Sequence, residues 1–394
     1  MTSKKKIGCV IAYNPGHNNY GTSLQGYATI KKIQDLGYEC EVIRYVKQLS
    51  IMQKVGFVVN AVRAGYTKVL FERVKSKSDI KKYPHLAAGI KQRTEAVNEY
   101  KDKKLIPLFH EYVGFEALRK GSLNYGAVVV GSDQVWTPLS LYNKYFNLLF
   151  VDDSVSKIAY ASSFGVSEIP SFQQKKTGAY LDRFYKIGVR EERGKEIVDS
   201  LSKNTAQVVA DPTMLLTREE WAEEISDSRV KETEPYIFVY FLGNNPKARA
   251  AVNELKAKTG YKIITIRHMD EYVAEDEKFG DDAPYYVDPN DFVKYISGAE
   301  YVCTDSFHCS VFSIIFHRQF MTFYRFAEGA KTSRNSRIDS LFSVLGIEKE
   351  RIYRGEICDN IDRKIDCIAV DEKLQRLRNE SIEFLKQSLL LSKD

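Results

Sequence analysis

The stretch Cys303-Thr304-Asp305-Ser306-Phe307-His308-Cys309-Ser310 brings a carboxylate, several hydroxyls and an imidazole together within a few residues. It follows the apolar run Tyr301–Cys303 and leads into another, Val311–Phe316. Asp305, Ser306 and His308 are therefore expected in the first turn of a helix, at the carboxyl end of a strand. An imidazole titrates near neutrality and can give or take a proton there. A histidine that only caps the helix is the plainer alternative.

Other segments share this form, a short apolar run that empties into small or charged residues. Gly131-Ser132-Asp133-Gln134-Val135-Trp136 follows Ala127–Val130 and would present Ser132 and Asp133 where a sugar hydroxyl can be bound or deprotonated. Ser132 or Asp133 as a helix cap is the rival reading, and the nearby Trp136 favours the functional one. Tyr160-Ala161-Ser162-Ser163-Phe164-Gly165 reads as another wall of the same cleft. Arg190-Glu191-Glu192-Arg193 opens a helix after Gly188-Val189. The planar fork of an arginine suits phosphate or carboxylate, and a salt-bridged turn is the alternative. Asp211-Pro212-Thr213 either binds ligand or stops its strand.

The loop Asn14 to Ser23 has two glycines separated by four residues, as in a phosphate-binding loop, but Thr22 stands where the lysine belongs. What survives is a glycine turn at a helix N-terminus, fit either for an anion or for nothing but the turn. Lys331, Arg334 and Arg337 form a cationic loop before a helix at Ile338–Leu345, with solvated surface charge the better reading for the first two. His17 and His268 also follow strands and are weaker candidates; His85, His110 and His317 read as structural or surface groups.

The elements that must hold these groups form two series. Strand Ile7–Tyr13, helix Thr22–Leu36 and strand Glu39–Arg44 make a βαβ opening. A charged, helical excursion without strands is expected at about 50–116. Strands return at Ala127–Val130, Lys157–Tyr160, Ile187–Val189 and Gln207–Val209. After a charged boundary at Glu219–Glu234 a second series runs through Tyr236–Phe241, Lys262–Ile266, Tyr301–Cys303 and Phe320–Tyr324. The expected fold class is α/β, with two Rossmann-like domains facing a cleft, residues 1–230 and 235–370. A last helix within 371–394 could pack back on the first domain. Ligand groups then gather beyond the carboxyl ends of the strands.

Composition narrows the partners. A chain of 394 residues suits two domains. Its 25 tyrosines and 21 phenylalanines supply ring surfaces of the kind that line sugar sites. A net charge of +6, without interleaved arginines and aromatics, argues for anionic small molecules or a loose approach to an acidic membrane surface, and against a nucleic-acid surface. The six cysteines lack CxxC spacing, so reduced, packed thiols and no metal site are expected. Ile7–Tyr13 is too short for a signal-peptide core and no apolar run spans a bilayer, so the expected compartment is the cytoplasm.

Taken in order, seven segments resemble the polysaccharide pyruvyl transferase family: Asn18-Asn19-Tyr20-Gly21, Gly131 to Trp136, Tyr160 to Gly165, Arg190 to Arg193, Asp211-Pro212-Thr213, Thr304 to His308, and Ser336-Arg337-Ile338. The resemblance implies a fold similar to the glycosyltransferase-B type. It also implies phosphoenolpyruvate as co-substrate, no cofactor or metal, and a sugar acceptor that receives a pyruvate ketal in cell-surface polysaccharide biosynthesis. A lipid-linked acceptor at the inner face of the membrane would suit the mild basic charge. Better-known members carry an arginine where this chain has Ser306, so that anion contact is either missing here or supplied by Arg337 or Lys331. In this reading His308, Asp133 and Asp305 are catalytic. Arg190, Arg193, Arg337, Ser306, Ser310 and Ser336 bind the donor. Asn18, Asn19, Tyr20, Gly21, Ser132, Gln134, Trp136 and Ser163 face the acceptor or an anion. A nucleotide-sugar glycosyltransferase and a catalytically silent sugar- or phosphate-binding relative are the rival readings.

Overall fold

A computed structural model of the chain describes residues 6–390 apart from 14, 17, 49, 68–79, 81, 142–143, 270–271 and 326–334. Its centre is a seven-stranded, all-parallel sheet of β1 (Ile7–Val10), β2 (Cys40–Val46), β3 (Phe109–Val113), β4 (Ala127–Val130), β5 (Ser156–Ser162), β6 (Lys186–Val189) and β7 (Ala206–Val208). The order is β3-β2-β1-β4-β5-β6-β7. The chain winds outward from β1 in one direction and then returns to build from β4 in the other. That reversal leaves a crevice between β1 and β4, which pair directly. The Ala-Val-Val-Val of β4 is wholly buried, as a central parallel strand covered by helices on both faces must be.

The second sheet holds β8 (Tyr236–Tyr240), β9 (Lys262–Thr265), β10 (Tyr301–Thr304) and β11 (Gln319–Thr322) in the order β11-β10-β8-β9, again all parallel. Its reversal lies between β8 and β10. The two domains are thus each Rossmann-like.

Around the first sheet lie α1 (Tyr20–Asp35), α2 (Ile51–Arg63), α3 (Pro84–Lys104), α4 (Phe115–Gly121), α5 (Ser171–Leu181), α6 (Glu192–Leu201) and α7 (Arg218–Glu224). Around the second lie α8 (Pro246–Thr259), α9 (Pro289–Gly298), α10 (Phe307–Ile315), α11 (Ser336–Leu345) and the long α12 (Cys367–Leu390). Asn19 caps α1 by accepting the Thr22 N–H at 3.1 Å, which explains why the helix begins at Tyr20.

The excursion expected to be helical throughout contains a strand. β3 pairs with β2 in parallel at the sheet edge. Its Phe-His-Glu-Tyr-Val sequence is mostly solvated, so it carries neither alternation nor an unbroken apolar run by which to read it.

The domains meet through a continuous apolar core that draws on both sheets. Tyr20 of α1 stacks on Phe292 of α9 at 4.6 Å, and its hydroxyl donates to the Val287 carbonyl. α12 returns to the first domain: Arg378 Nε donates to the Met214 carbonyl at 2.7 Å, and the Ala210 N–H donates to Ser381 Oγ at 2.8 Å. Among the described residues no helix is long and apolar enough to cross a membrane.

Candidate active site

The loops at the two sheet reversals face each other across the seam. After β4 the backbone turns sharply at Asp133, which adopts φ +80°, a left-handed conformation that a residue with a side chain seldom takes. Asp133 holds this turn with its own carboxylate. One oxygen accepts the Gln134 N–H at 2.8 Å and the other accepts the Thr22 hydroxyl at 2.7 Å, bridging the β4 loop to α1. A strained backbone held by several bonds is characteristic of a position that must present one group in one place. Burial opposes the charge of Asp133, but the fields of Arg190 and His308 and the Thr22 bond outweigh it and hold the carboxyl below its usual value.

Behind Asp133 lies a fully buried ionic cluster. Arg190, at the end of β6, donates through Nη1 to Asp211 Oδ2 at 2.7 Å, and its Nε is 3.7 Å from Glu191 Oε2. Ser132 Oγ also donates to Asp211 Oδ2, at 3.0 Å. Asp211 is shut away from water, which raises a carboxyl's pKa. His308, Arg190 and the Thr213 bonds more than reverse this and hold it well below the ordinary carboxylate range. From the opposite domain His308, in the first turn of α10, brings Nε2 to 3.7 Å from Asp211 Oδ2. That separation is too long for a hydrogen bond and short enough for strong attraction between charges.

Two features make this cluster more than a structural knot. Arg190 Nε and Nη2, His308 Nε2 and Glu191 Oε2 are buried yet find no hydrogen-bond partner among the described residues. Buried donors are nearly always paired, so unpaired ones converging on one place mark a missing group. The guanidinium of Arg190 also lies 4.7 Å from the Phe307 ring centre, and that of Arg337 lies 5.7 Å from the same ring. One ring thereby carries a cation from each domain.

Asp133 opens onto a cavity of about 770 Å³. On the first-domain side its lining includes Asn18, Asn19, Thr22, Gln134 and the rings Tyr13, Tyr45, Phe109, Tyr145 and Phe146. On the second-domain side it includes Tyr240, Leu242, Arg267, His268 and Arg325. Asp305, after β10, is buried and accepts the Leu242 N–H at 2.6 Å, which ties the β8 and β10 loops together. Arg325, after β11, donates to the Asp305 carbonyl at 3.1 Å.

The sequence-derived candidates separate on these facts. Asp133, Ser132, Arg190 and His308 converge at the seam, with Asp305 and Arg337 nearby. Gly21 packs on the His308 ring so closely that a Cβ there would lie 2.1 Å from Nδ1. Asn18 and Gln134 line the cavity, and Asn19 does so while capping α1. Ser163 is buried against Glu191, donating to Oε1. Ser306 caps α10.

Five positions lie elsewhere. Trp136 is a core residue: its indole N–H donates to the Phe146 carbonyl and its ring packs on Phe164 and Phe184, so it presents no face to an acceptor. Tyr20 is buried in the domain seam. Ser310 is enclosed between Thr322 and the Ser306 carbonyl. Arg193, three residues past Arg190, is carried by the turn of α6 to the exposed surface, where it meets Glu196 and the Ser167 carbonyl. Ser336 is exposed at the start of α11. His85 pairs with Glu277 and His317 with Asp371, while His110 lies 3.7 Å from Glu41. Lys331, Arg334 and His17 lie outside the described residues.

The sequence reading left Asp211, Glu191, Phe307 and Arg325 outside its site. Asp211, Glu191 and Phe307 stand inside segments singled out above, Asp211 as a residue that either binds ligand or stops its strand. Arg325 had no such signal, because its neighbours Phe323 and Tyr324 read as the end of a strand.

A family model described as polysaccharide pyruvyl transferase matches residues 19–325. No curated protein matches the chain. Among solved structures, a protein of Listeria monocytogenes assigned as a UDP-N-acetylglucosamine 2-epimerase is 11% identical, with 98% of this chain and 92% of that one covered at a TM-score of 0.50. The UDP-GlcNAc 2-epimerase of Neisseria meningitidis is 8% identical, with 96% and 99% covered at 0.46. The glycosyltransferase SnogD of Streptomyces nogalater is 10% identical, with 99% of each chain covered at 0.45. The architecture is that of the glycosyltransferase-B fold. Likeness at these identities speaks to fold alone.

Proposed function

The chain belongs to the polysaccharide pyruvyl transferase family, and from that premise we propose that it moves the pyruvyl group of phosphoenolpyruvate onto two hydroxyls of one sugar, forming a ketal and releasing phosphate. The observation that carries this reading is the set of unpaired buried donors on Arg190 and His308, set across the domain seam beside the Asp133 and Asp211 carboxylates. A compact dianion carrying both phosphate and carboxylate answers such a set.

In this reading Arg190 and Arg337, sharing the Phe307 ring, hold the donor's anionic groups. His308 gives a proton to the methylene carbon of the enol phosphate, which makes the adjacent carbon electrophilic. A sugar hydroxyl adds there, turning the methylene into a methyl group. A second hydroxyl then displaces phosphate and closes the ketal. Of the two hydroxyl protons, one replaces the proton that His308 gave to the methyl, and the other leaves with phosphate. Asp133, charged and open to the cavity, positions the first hydroxyl and takes its proton, which then passes through solvent to restore His308. Asp305 orders the β8 and β10 loops at the second-domain wall. The aromatic lobe around Tyr13, Tyr45 and Tyr145 offers ring faces to the sugar. The first domain, residues 1–230, then serves mainly the acceptor and the second, 235–370, the donor.

The test is phosphate release from phosphoenolpyruvate by the full chain, with and without a panel of nitrophenyl and lipid-linked galactosides, glucosides and N-acetylhexosamines. Acceptor-dependent release is expected, and His308→Ala should cut it by about 10²–10⁴-fold while leaving the melting temperature near that of the native chain. No release with any acceptor, together with thermal stabilisation by a uridine or guanosine nucleotide and none by phosphoenolpyruvate, would transfer the assignment to nucleotide-sugar chemistry.

A further inference from the structure

Helix α2 turns a broad apolar face outward. Ile51, Met52, Val55, Val58, Val59 and Val62 are each more than half exposed, Met52 reaching 85%. At about 100° per residue these six fall within an arc of about 120°, the width of a face that helices normally bury. The other side is fixed to the protein. Asn60 accepts from Gln173 at 3.0 Å, Ala61 is buried, and the Arg63 guanidinium lies 4.5 Å from the Phe172 ring centre. The helix is therefore anchored with its apolar side out, and six aliphatic side chains on one stripe are more than a merely solvated surface carries.

Charge identifies what covers that face. Among the described residues of 47–82, Lys47, Lys54, Arg63 and Lys82 are exposed cations and none is an acid. Lys54 flanks the apolar arc and is exposed. A second copy of the chain would bring like charge against like, whereas an anionic surface with an apolar interior satisfies both features at once. The face also adjoins the cleft: Val46 and Lys47, just before α2, and Tyr66, just after it, line the 770 Å³ cavity.

We infer that the outer face of α2 seats the protein on an anionic lipid surface, with the aliphatic side chains entering the headgroup layer and Lys54 at the edge of the arc meeting lipid phosphates. Docking this way brings the cavity mouth to the membrane. Resting on the pyruvyl-transfer reading for this last step alone, the acceptor sugar is then one presented on a lipid carrier.

Vesicle co-sedimentation of the full chain tests the docking. Vesicles of phosphatidylglycerol and phosphatidylcholine should bind it, phosphatidylcholine alone at least tenfold less, and raising salt from about 0.1 to about 0.5 M should weaken the binding as the charges are screened. Val55→Glu with Val59→Glu should reduce binding at least tenfold. Met52→Glu, where almost no packing is at stake, should reduce it severalfold with an unchanged melting temperature. Absence of binding to the anionic vesicles, or binding undiminished in both variants, overturns the inference. A solution dimer that these variants dissolve would also overturn it, by giving the face to a second copy. Phosphate release with a water-soluble acceptor, measured on the same variants, reads the chemistry separately: docking lost with release retained isolates the membrane face, and release absent from the native chain counts against the pyruvyl-transfer reading alone.

Discussion

At Gly21 a side chain is excluded by contact, with no special backbone conformation involved. The position lies inside α1, where alanine is the better helix former by about 1 kcal/mol. Yet an added methyl would lie 2.1 Å from His308 Nδ1 and must displace the imidazole. Gly21→Ala should therefore lower turnover by at least about 10²-fold while the unfolding free energy changes little, a split read by steady-state kinetics beside urea denaturation. Asp211 predicts the reverse emphasis. Its charge compensates Arg190 in a site closed to water, and Asp211→Asn would leave a buried guanidinium short of its partner. A loss of about 3–5 kcal/mol is expected in the same urea titration. A loss below about 1 kcal/mol would mean that water or a bound anion already shares the burden.

At the scale of elements, the helix that ends the described chain fastens the two domains together. α12 leaves the second domain and lays Leu385 and Leu389 in the core, with Phe384 against Tyr160 of β5. Leu385→Ala should cost about 2–5 kcal/mol through the cavity it leaves. Ser381→Ala should cost about 1–3 kcal/mol, because the buried Ala210 N–H loses its acceptor just before Asp211. Thermal melts check both, and the serine variant should lose turnover further than its stability change explains, since Ala210 sets the path into the Asp211 loop of the proposed site. Elements buried on both faces were the legible ones: β4 spans the residues expected, and β1, β8 and β10 differ by a residue or a few at their ends. β3 was not, because an edge strand is stabilised by ladder bonds to β2 rather than by any apolar pattern of its own.

For the whole molecule, two carboxylates on one seam, Asp133 and Asp211, make its stability depend on pH. Burial works against ionisation at both Asp133 and Asp211, and Arg190 and His308 from opposite sides of the seam more than offset it. Both folded-state values thus lie below the unfolded value of about 3.9. The stability they contribute is fully present above that value and is lost as pH falls through the folded-state values. Resistance to urea should weaken progressively below about pH 4, and Asp211→Asn, though less stable throughout, should show a shallower decline over that window. A parallel decline in both proteins would mean that other carboxylates govern acid unfolding.

By itself the sequence determined the α/β class, the parallel sheets and the loops at the strand ends, because apolar runs ending in Gly, Asp, Ser or Arg report burial and chain reversal locally. It also marked His308, Asp133 and Arg190, each within four residues of a strand's carboxyl end. Only the tertiary structure decided which of two neighbouring arginines enters the site. Arg190 directly follows a buried strand, while Arg193 lies three residues on, where a helical turn carries it to solvent. Only the fold could join His308 to Asp211 and Asp133, or send Trp136 into the core while drawing Arg325 to the cavity. Those contacts form between segments far apart in the chain, and local periodicity holds no record of which loops a domain seam will bring face to face.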